Sequence, residues 1–121
     1  MPRHVLEETH IHPAIKDKIA AQHRDIVDEV LLAKQNHKFL IVGMKGNTVA
    51  SKARKLLSAL GVTHHYLEYG NYFSGWRRRN ALKMWTGWPT FPMVFVKGIL
   101  VGGATDVQAL IASGELKKLL A

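Results

Sequence analysis

Trp88-Pro-Thr-Phe-Pro-Met-Val-Phe-Val-Lys-Gly98 is the stretch that decides the fold of this 121-residue chain. Its apolar run Met93–Val96 is typical of a buried strand, and Lys97-Gly98 is a turn signal. Ile99–Val101 then follows as a second apolar run. Two such runs separated by a two-residue turn predict a β-hairpin.

Upstream of this hairpin, helix and strand patterns alternate. Apolar residues from Ala14 to Gln35 recur at helical spacing and include Ile15 and Ile19, so we predict one long helix with a buried stripe. The other predicted elements are an irregular segment over 1–13, a strand over 38–44, a turn over 45–47, a helix over 48–60 that Thr48 can cap, a strand over 62–69, a helix over 72–85, a short helix over 106–112 and a terminal turn or two over 115–120. This order, α-β-α-β-α-β-β-α, is thioredoxin-like. It predicts an α/β three-layer fold with a central mixed four-stranded sheet flanked by helices, and an extra N-terminal helix or arm.

Charge and cysteine content restrict the chemistry. The chain carries 17 Lys and Arg against 9 Asp and Glu, a net charge of +8, which favours anionic partners. It contains no cysteine, which excludes disulfides, cysteine-based zinc sites and cysteine-ligated iron–sulfur clusters within the chain. No apolar run approaches the roughly 18 residues of a membrane span, and the N-terminus lacks the apolar core of a secretory signal. We therefore expect neither feature.

Three segments of the last third carry a resemblance to a known family. They are Trp88–Gly98, Gly102-Gly-Ala-Thr-Asp106 and Ser113-Gly-Glu-Leu-Lys-Lys-Leu-Leu120. Together they closely resemble the glutaredoxins, especially the monothiol branch. The resemblance covers roughly residues 26–121, which implies a glutaredoxin-like domain there and leaves 1–25 as an N-terminal arm and the start of a helix. It also implies a cis peptide bond at Pro92 of the Thr90-Phe91-Pro92 motif.

Glutaredoxins act through a cysteine thiolate, because only the thiolate attacks disulfides or binds iron. When the chain is aligned backwards from Leu56-Leu-Ser-Ala-Leu-Gly-Val62, the family motif Cys-Gly-Phe-Ser falls on Asn47–Ala50. Asn47 therefore occupies the nucleophile position, where an amide can cap a helix but cannot act as a nucleophile. We predict no thiol–disulfide oxidoreductase activity, no catalytic residue and no iron–sulfur cluster from this chain alone.

The resemblance also implies a glutathione-like groove. Lys45 and Arg79 match family residues that contact the glycyl carboxylate of glutathione. The alternative for Lys45 is a solvated turn lysine, and the alternative for Arg79 is a general basic patch shared with Arg77 and Arg78. Phe91 and Pro92 match the segment that offers backbone groups to an extended peptide. The start of the helix after the hairpin, formed by Gly103, Ala104 and Thr105, matches the site that receives the γ-glutamyl carboxylate through backbone N–H groups. Thr105 replaces the usual Asp, which pairs with the glutathione ammonium, so binding there should be weakened.

Two other residue groups invite functional readings. His10 and His12 share a face of an extended segment, whereas His64 and His65 would point to opposite faces of a strand, so we expect no metal site. The basic run Arg77–Arg79 lies among aromatic residues, a mixture that can contact RNA by stacking and phosphate binding. The same pattern also fits a helix with one side in the core and a basic side in water.

The sequence thus favours a catalytically inactive glutaredoxin-like protein that acts as a structural or binding subunit of a larger assembly, with protein partners. Two alternatives stay open: a glutathione-binding module or sensor without thiol chemistry, and an RNA-contacting protein. The resemblance suggests the mitochondrial matrix or a matrix-facing complex, because monothiol single-domain glutaredoxins commonly reside there; otherwise we expect the cytoplasm.

Overall fold

Four short strands form one mixed sheet at the centre of the molecule in the computed structural model, which describes residues 2–71 and 73–120. The strands are β1 (Phe39–Gly43), β2 (His65–Glu68), β3 (Met93–Val96) and β4 (Ile99–Gly102). Their spatial order is β2-β1-β3-β4. β1 pairs in parallel with β2 and antiparallel with β3, and β3 and β4 form the predicted hairpin.

Helices cover both faces of this sheet. In the described part of the chain they are α1 (Pro13–Ala21), α2 (Arg24–Asn36), α3 (Thr48–Ala59), α4 (Trp76–Thr86), α5 (Ala104–Ser113) and α6 (Glu115–Leu120), preceded by a 3-10 turn at Glu8–His10. Helices α2 and α4 pack on one face, and α3, α5 and α6 pack on the other. This arrangement is the three-layer thioredoxin-like architecture that the order of elements predicted.

The side chains of β1 alternate between the two hydrophobic clusters, one on each face of the sheet. All five residues of β1 are buried because the strand is central and covered on both faces. Leu40 and Val42 join the cluster under α2 and α4, while Phe39 and Ile41 join the cluster under α3 and α5. A continuous apolar run is therefore what this position in the sheet requires.

The predicted N-terminal helix is two helices. His23 adopts a left-handed conformation (φ 47°, ψ 38°) between α1 and α2, which breaks the helical hydrogen-bond ladder. The buried stripe predicted from Ala14 onward begins only in α2, at Ile26. Ile15 and Ile19 are 44% and 51% exposed, so their assignment to a buried stripe was wrong.

Several predicted helix ends also shift. Helix α4 begins at Trp76 because Gly75 has a left-handed backbone (φ 75°), and the predicted start at residue 72 lies outside the described residues. Asn47, rather than Thr48, caps α3. Helix α5 begins at Ala104, two residues before its predicted start.

Candidate functional site

Asn47 links the start of α3 to the loop before β3. Its side-chain oxygen accepts a hydrogen bond from the Ala50 N–H at 2.9 Å, the usual geometry of an N-cap. Its side-chain nitrogen donates to the carbonyl oxygen of Phe91 at 3.3 Å, across 44 residues of sequence. The residue is only 8% exposed. Both ends of this amide are therefore used within the chain, and neither can supply a nucleophile.

The loop that meets Asn47 contains a cis peptide bond between Phe91 and Pro92, as the resemblance implied. The start of α5 lies against the same loop, because a Cβ atom placed on Gly103 would be 3.5 Å from the Pro92 carbonyl oxygen. Asn47, the cis-proline loop and the start of α5 therefore come together at one end of the sheet, where the strands β1 and β3 meet the helices. Three of the predicted groove residues, Phe91, Pro92 and Gly103, meet there.

At the start of α5, one of the predicted anion-binding donors is already used. The Gly103 N–H donates to the Asp106 carboxylate at 2.9 Å, which satisfies an otherwise unpaired helix-start donor. Ala104 is buried and Thr105 is exposed. The chain's own carboxylate thus occupies part of the position predicted to receive the carboxylate of a ligand.

Arg79 has a structural role in addition to the groove role predicted for it. Its Nη1 atom donates to the backbone carbonyl oxygens of Tyr69 at 3.0 Å and Ser74 at 2.6 Å, and the residue is 6% exposed. These bonds tie α4 to the loop that follows β2. Lys45 is joined to the same loop, because its backbone N–H donates to the Gly70 carbonyl at 2.8 Å. The groove roles of the Arg79 and Lys45 side chains stay predictions.

The three consecutive arginines do not form one basic patch. Arg77 lies over the ring of Trp76, with its guanidinium carbon 5.2 Å from the ring centroid. Arg78 forms an ion pair with Asp25 of α2 at 2.9 Å, and Arg79 is buried. Because consecutive helical residues point about 100° apart, one of the three presents an unneutralised charge to solvent. This geometry weakens the RNA-binding hypothesis.

A shallow polar crevice of about 220 Å³ lies beside Asn47, between α3 and β2. Tyr66 of β2 lines it, and the guanidinium of Arg54 lies 4.3 Å from the centroid of the Tyr66 ring. Burial, followed by the nearby Glu68 carboxylate, raises the pKa of the Tyr66 hydroxyl above its usual value. The phenol is therefore neutral at physiological pH and offers the crevice a donor rather than a base.

Sequence reasoning missed two groups close to the cis-proline loop. Lys83 of α4 places its ammonium 5.9 Å from the centroid of the Phe91 ring, a position that helical spacing from Arg79 could have indicated. The indole N–H of Trp88 is buried and has no hydrogen-bond partner within residues 2–71 and 73–120. No sequence signal distinguishes that indole from any other buried tryptophan.

The histidines are dispersed. His37 and His65 stack with ring centroids 4.0 Å apart, and the Arg54 Nε–H donates to His64 at 3.4 Å. Burial and the Arg54 charge lower the pKa of His64 below its usual value. In the described part of the chain, no group of three or more His, Asp or Glu residues is placed to hold a metal ion. Across the same residues, no helix is both long and apolar enough to cross a membrane.

Comparisons with known sequences agree with the geometry. The glutaredoxin family profile matches residues 49–101. A glutaredoxin-like protein of Dictyostelium discoideum is 43% identical over 102 residues, which cover 84% of this chain and 83% of that protein. "Probable monothiol glutaredoxin 2" of Rickettsia prowazekii is 34% identical, covering 75% of this chain and 78% of that protein. Glutaredoxin 3 of Danio rerio is 34% identical over 70% of this chain, which spans only 27% of that longer protein.

The solved structure of a buckwheat glutaredoxin–glutathione complex has the same fold. It superposes with a TM-score of 0.72 over 82% of this chain and 90% of that one, at 24% sequence identity. At this identity the likeness concerns the architecture of the two proteins and not the ligands that they bind.

Proposed function

Because this chain belongs to the glutaredoxin family and has no cysteine, we propose that it is a binding or structural subunit of a larger protein assembly and performs no thiol–disulfide chemistry. The thiolate that defines the chemistry of the family is missing, and no other cysteine could replace it from within the chain. What the chain retains is a folded scaffold with a strongly basic surface. Protein–protein contact, unlike thiol chemistry, requires no cysteine.

The observation that carries this proposal is the pair of hydrogen bonds made by Asn47. In the family, the backbone of the residue before the cis-proline is offered to an extended peptide, and the matching carbonyl here is that of Phe91. Its oxygen is already paired with the Asn47 side chain. In this proposal, the position matched to the family's nucleophile holds an amide whose hydrogen bonds stabilise the fold.

A mitochondrial location is part of the proposal. It is supported by the similarity to monothiol glutaredoxins and by the net positive charge. We propose the mitochondrial matrix or a matrix-facing complex, with the cytoplasm as the alternative. Protease protection of the tagged protein in purified mitochondria, before and after the membranes are opened, distinguishes the two locations.

The experiment that tests the subunit role is size-exclusion chromatography of the tagged protein, purified from native lysate at low salt. We expect it to co-migrate with a large complex at a fixed stoichiometry, and the isolated chain not to reduce a glutathione mixed disulfide faster than free glutathione does. A partner-free monomer would overturn the subunit role. Reduction above the rate of free glutathione would overturn the absence of thiol chemistry.

Glutathione binding without chemistry is a second candidate function. The closeness of the cis Phe91–Pro92 loop to the start of α5 favours it. The bonds that already engage the Phe91 carbonyl and the Gly103 N–H oppose it. Calorimetric titration with reduced glutathione tests it, with Asn47→Ala as the variant that releases the Phe91 carbonyl. Saturable binding by the wild-type chain that is lost in Lys45→Ala would establish this candidate.

A further inference from the structure

The outward face of α4 exposes large apolar side chains. Trp76 is 54% exposed and Met84 is 64% exposed, although both belong to a helix whose other side packs in the core. Phe73, just before the helix, is 95% exposed. Single exposed apolar residues are common on protein surfaces, and Phe73 does not line a cavity with the other two. Trp76 and Met84, in contrast, border the same concavity.

Trp76 and Met84 line a groove between α4 and the turn that joins α1 to α2. Its volume is about 570 Å³, and Gln22 and His23 of that turn form its opposite wall. This volume falls within the range of about 300–1,000 Å³ that is typical of ligand-binding clefts. The left-handed conformation of His23, which breaks the N-terminal helix, is what places that wall opposite α4.

The charge of the groove has one sign. Arg77 and Lys83 of α4 line it, and no carboxylate lies among its lining residues. Asp25, at the start of α2, is engaged in its ion pair with Arg78. The groove therefore combines apolar contact area with two cations that no carboxylate of the lining neutralises. Its electrostatic complement is an apolar surface that carries carboxylates.

We infer that this α4 groove binds an acidic amphipathic segment of a protein partner. The segment inserts apolar side chains against Trp76 and Met84, and its Asp or Glu side chains face Arg77 and Lys83. This is recognition of a helix in a groove, in which apolar anchors supply contact area and charges select the partner. The inference rests on the proposed binding role and names the surface and partner chemistry that would perform it.

The same geometry favours a protein partner over RNA. Single-stranded RNA is held by a row of cations that follows its phosphates and by a series of aromatic rings that stack on its bases. The groove offers two cations and two rings, the indole of Trp76 and the imidazole of His23, and Arg77 already lies over the indole. This is too few of each to follow an extended strand. Met84 adds apolar area that no phosphate would use.

The test uses the full chain as bait for a phage-displayed library of random 16-residue peptides. We expect selected peptides to share acidic residues interleaved with apolar residues at helical spacing. Their synthetic copies are then titrated into the chain by calorimetry, beside copies in which every Glu and Asp is replaced by Gln or Asn. The neutral copies should bind at least tenfold more weakly.

Two double variants of the chain locate the site. Trp76→Ser with Met84→Ser removes the apolar anchors, and Arg77→Glu with Lys83→Glu reverses the charge. Each should weaken binding at least tenfold. The matched control alters an exposed leucine of α2 and an exposed lysine of α3, Leu32→Ser with Lys52→Glu, and should change affinity less than twofold. Amide chemical-shift changes confined to α4 and the α1–α2 turn of the wild-type chain map the site without any variant.

Three results would overturn the inference. They are selected peptides without acidic residues, binding that survives both double variants, and tighter binding of a 20-nucleotide single-stranded RNA that the same variants abolish. These outcomes are distinct from failure of the proposed function. If the chain still co-migrates with a large complex when both double variants are present, the subunit role holds and the partner uses another surface.

Discussion

Replacing Asn47 tests whether its buried side chain stabilises the fold. Asn47→Ala removes the cap of α3, which typically costs about 1 kcal/mol. It also removes the donor to the Phe91 carbonyl, and an unpaired buried acceptor costs about 1–2 kcal/mol more. Because the side chain is 8% exposed, little solvent is available to compensate. We therefore expect the free energy of unfolding to fall by about 2–3 kcal/mol.

Equilibrium urea unfolding, followed by both circular dichroism and tryptophan fluorescence, measures this change. Asn47→Ser separates the two contributions, because serine is an equally good cap but its shorter side chain is not expected to reach Phe91. It should therefore lose only about 1–2 kcal/mol. Asn36→Ala, at an exposed asparagine in the last turn of α2, is the matched control and should change stability by less than about 0.5 kcal/mol. If Asn47→Ala costs no more than this control, Asn47 is not the structural link described above.

Three further predictions address neighbouring features. Asn47→Cys introduces a single thiol at the start of α3, where the helix N-terminus favours the thiolate. We expect the pKa of this thiol, measured by thiolate absorbance at 240 nm, to lie below that of a control thiol introduced by Lys52→Cys at an exposed position. Equal pKa values would contradict stabilisation of the thiolate by the helix start. Arg79→Ala should lower the free energy of unfolding by about 2–4 kcal/mol, because two backbone carbonyls lose a charged donor. Arg78→Ala is the control in the same urea assay: it removes only an exposed ion pair, so the loss should be less than about 1 kcal/mol. Tyr69 is buried and donates its hydroxyl hydrogen to a carboxylate, and both features raise the pKa of its phenol. The neutral phenol therefore contributes its full stability below the ordinary phenol pKa of about 10.0, and this contribution is lost as the pH rises above that value. Tyr69→Phe should therefore lower the free energy of unfolding more at pH 8 than at pH 11. An equal loss at the two pH values would contradict the raised pKa of Tyr69.

Local patterns predicted most of the fold, because each central strand is a short apolar run bounded by a turn. β1, β3 and the hairpin lie close to their predicted positions, since strands buried on both faces need uninterrupted apolar sequence. The break at His23 was missed because no glycine or proline marks it. The ends of α4 and α5 were displaced for a related reason, since their boundaries depend on backbone conformation at Gly75 and Gly103.

The site was less predictable, because its defining contacts join distant parts of the chain. Family resemblance predicts that Asn47 occupies the nucleophile position, and this placement stays a prediction. The capping role of Asn47 follows from its residue type. Its bond to Phe91 spans 44 residues, and nothing in the local sequence of either residue indicates it. The arginine triplet shows the same limit. Its three members have the same charge, yet one is buried, one is paired and one faces the groove, according to their angular positions on α4.

The residue before α3 can serve two separable purposes, capping the helix and supplying a reactive group, and the fold requires only the first. Any side chain there lies at a helix start whose backbone N–H groups need an acceptor. A thiolate can meet that need while remaining reactive, since the helix start favours its negative charge. Asn47 meets the same need with a neutral amide oxygen, and its amide nitrogen also joins α3 to the cis-proline loop. An asparagine at this position therefore differs from a cysteine in giving up reactivity for a tertiary hydrogen bond while keeping the cap. Selection for binding alone could retain such a scaffold, because the outward face of α4, where we place the partner, does not depend on which residue occupies position 47.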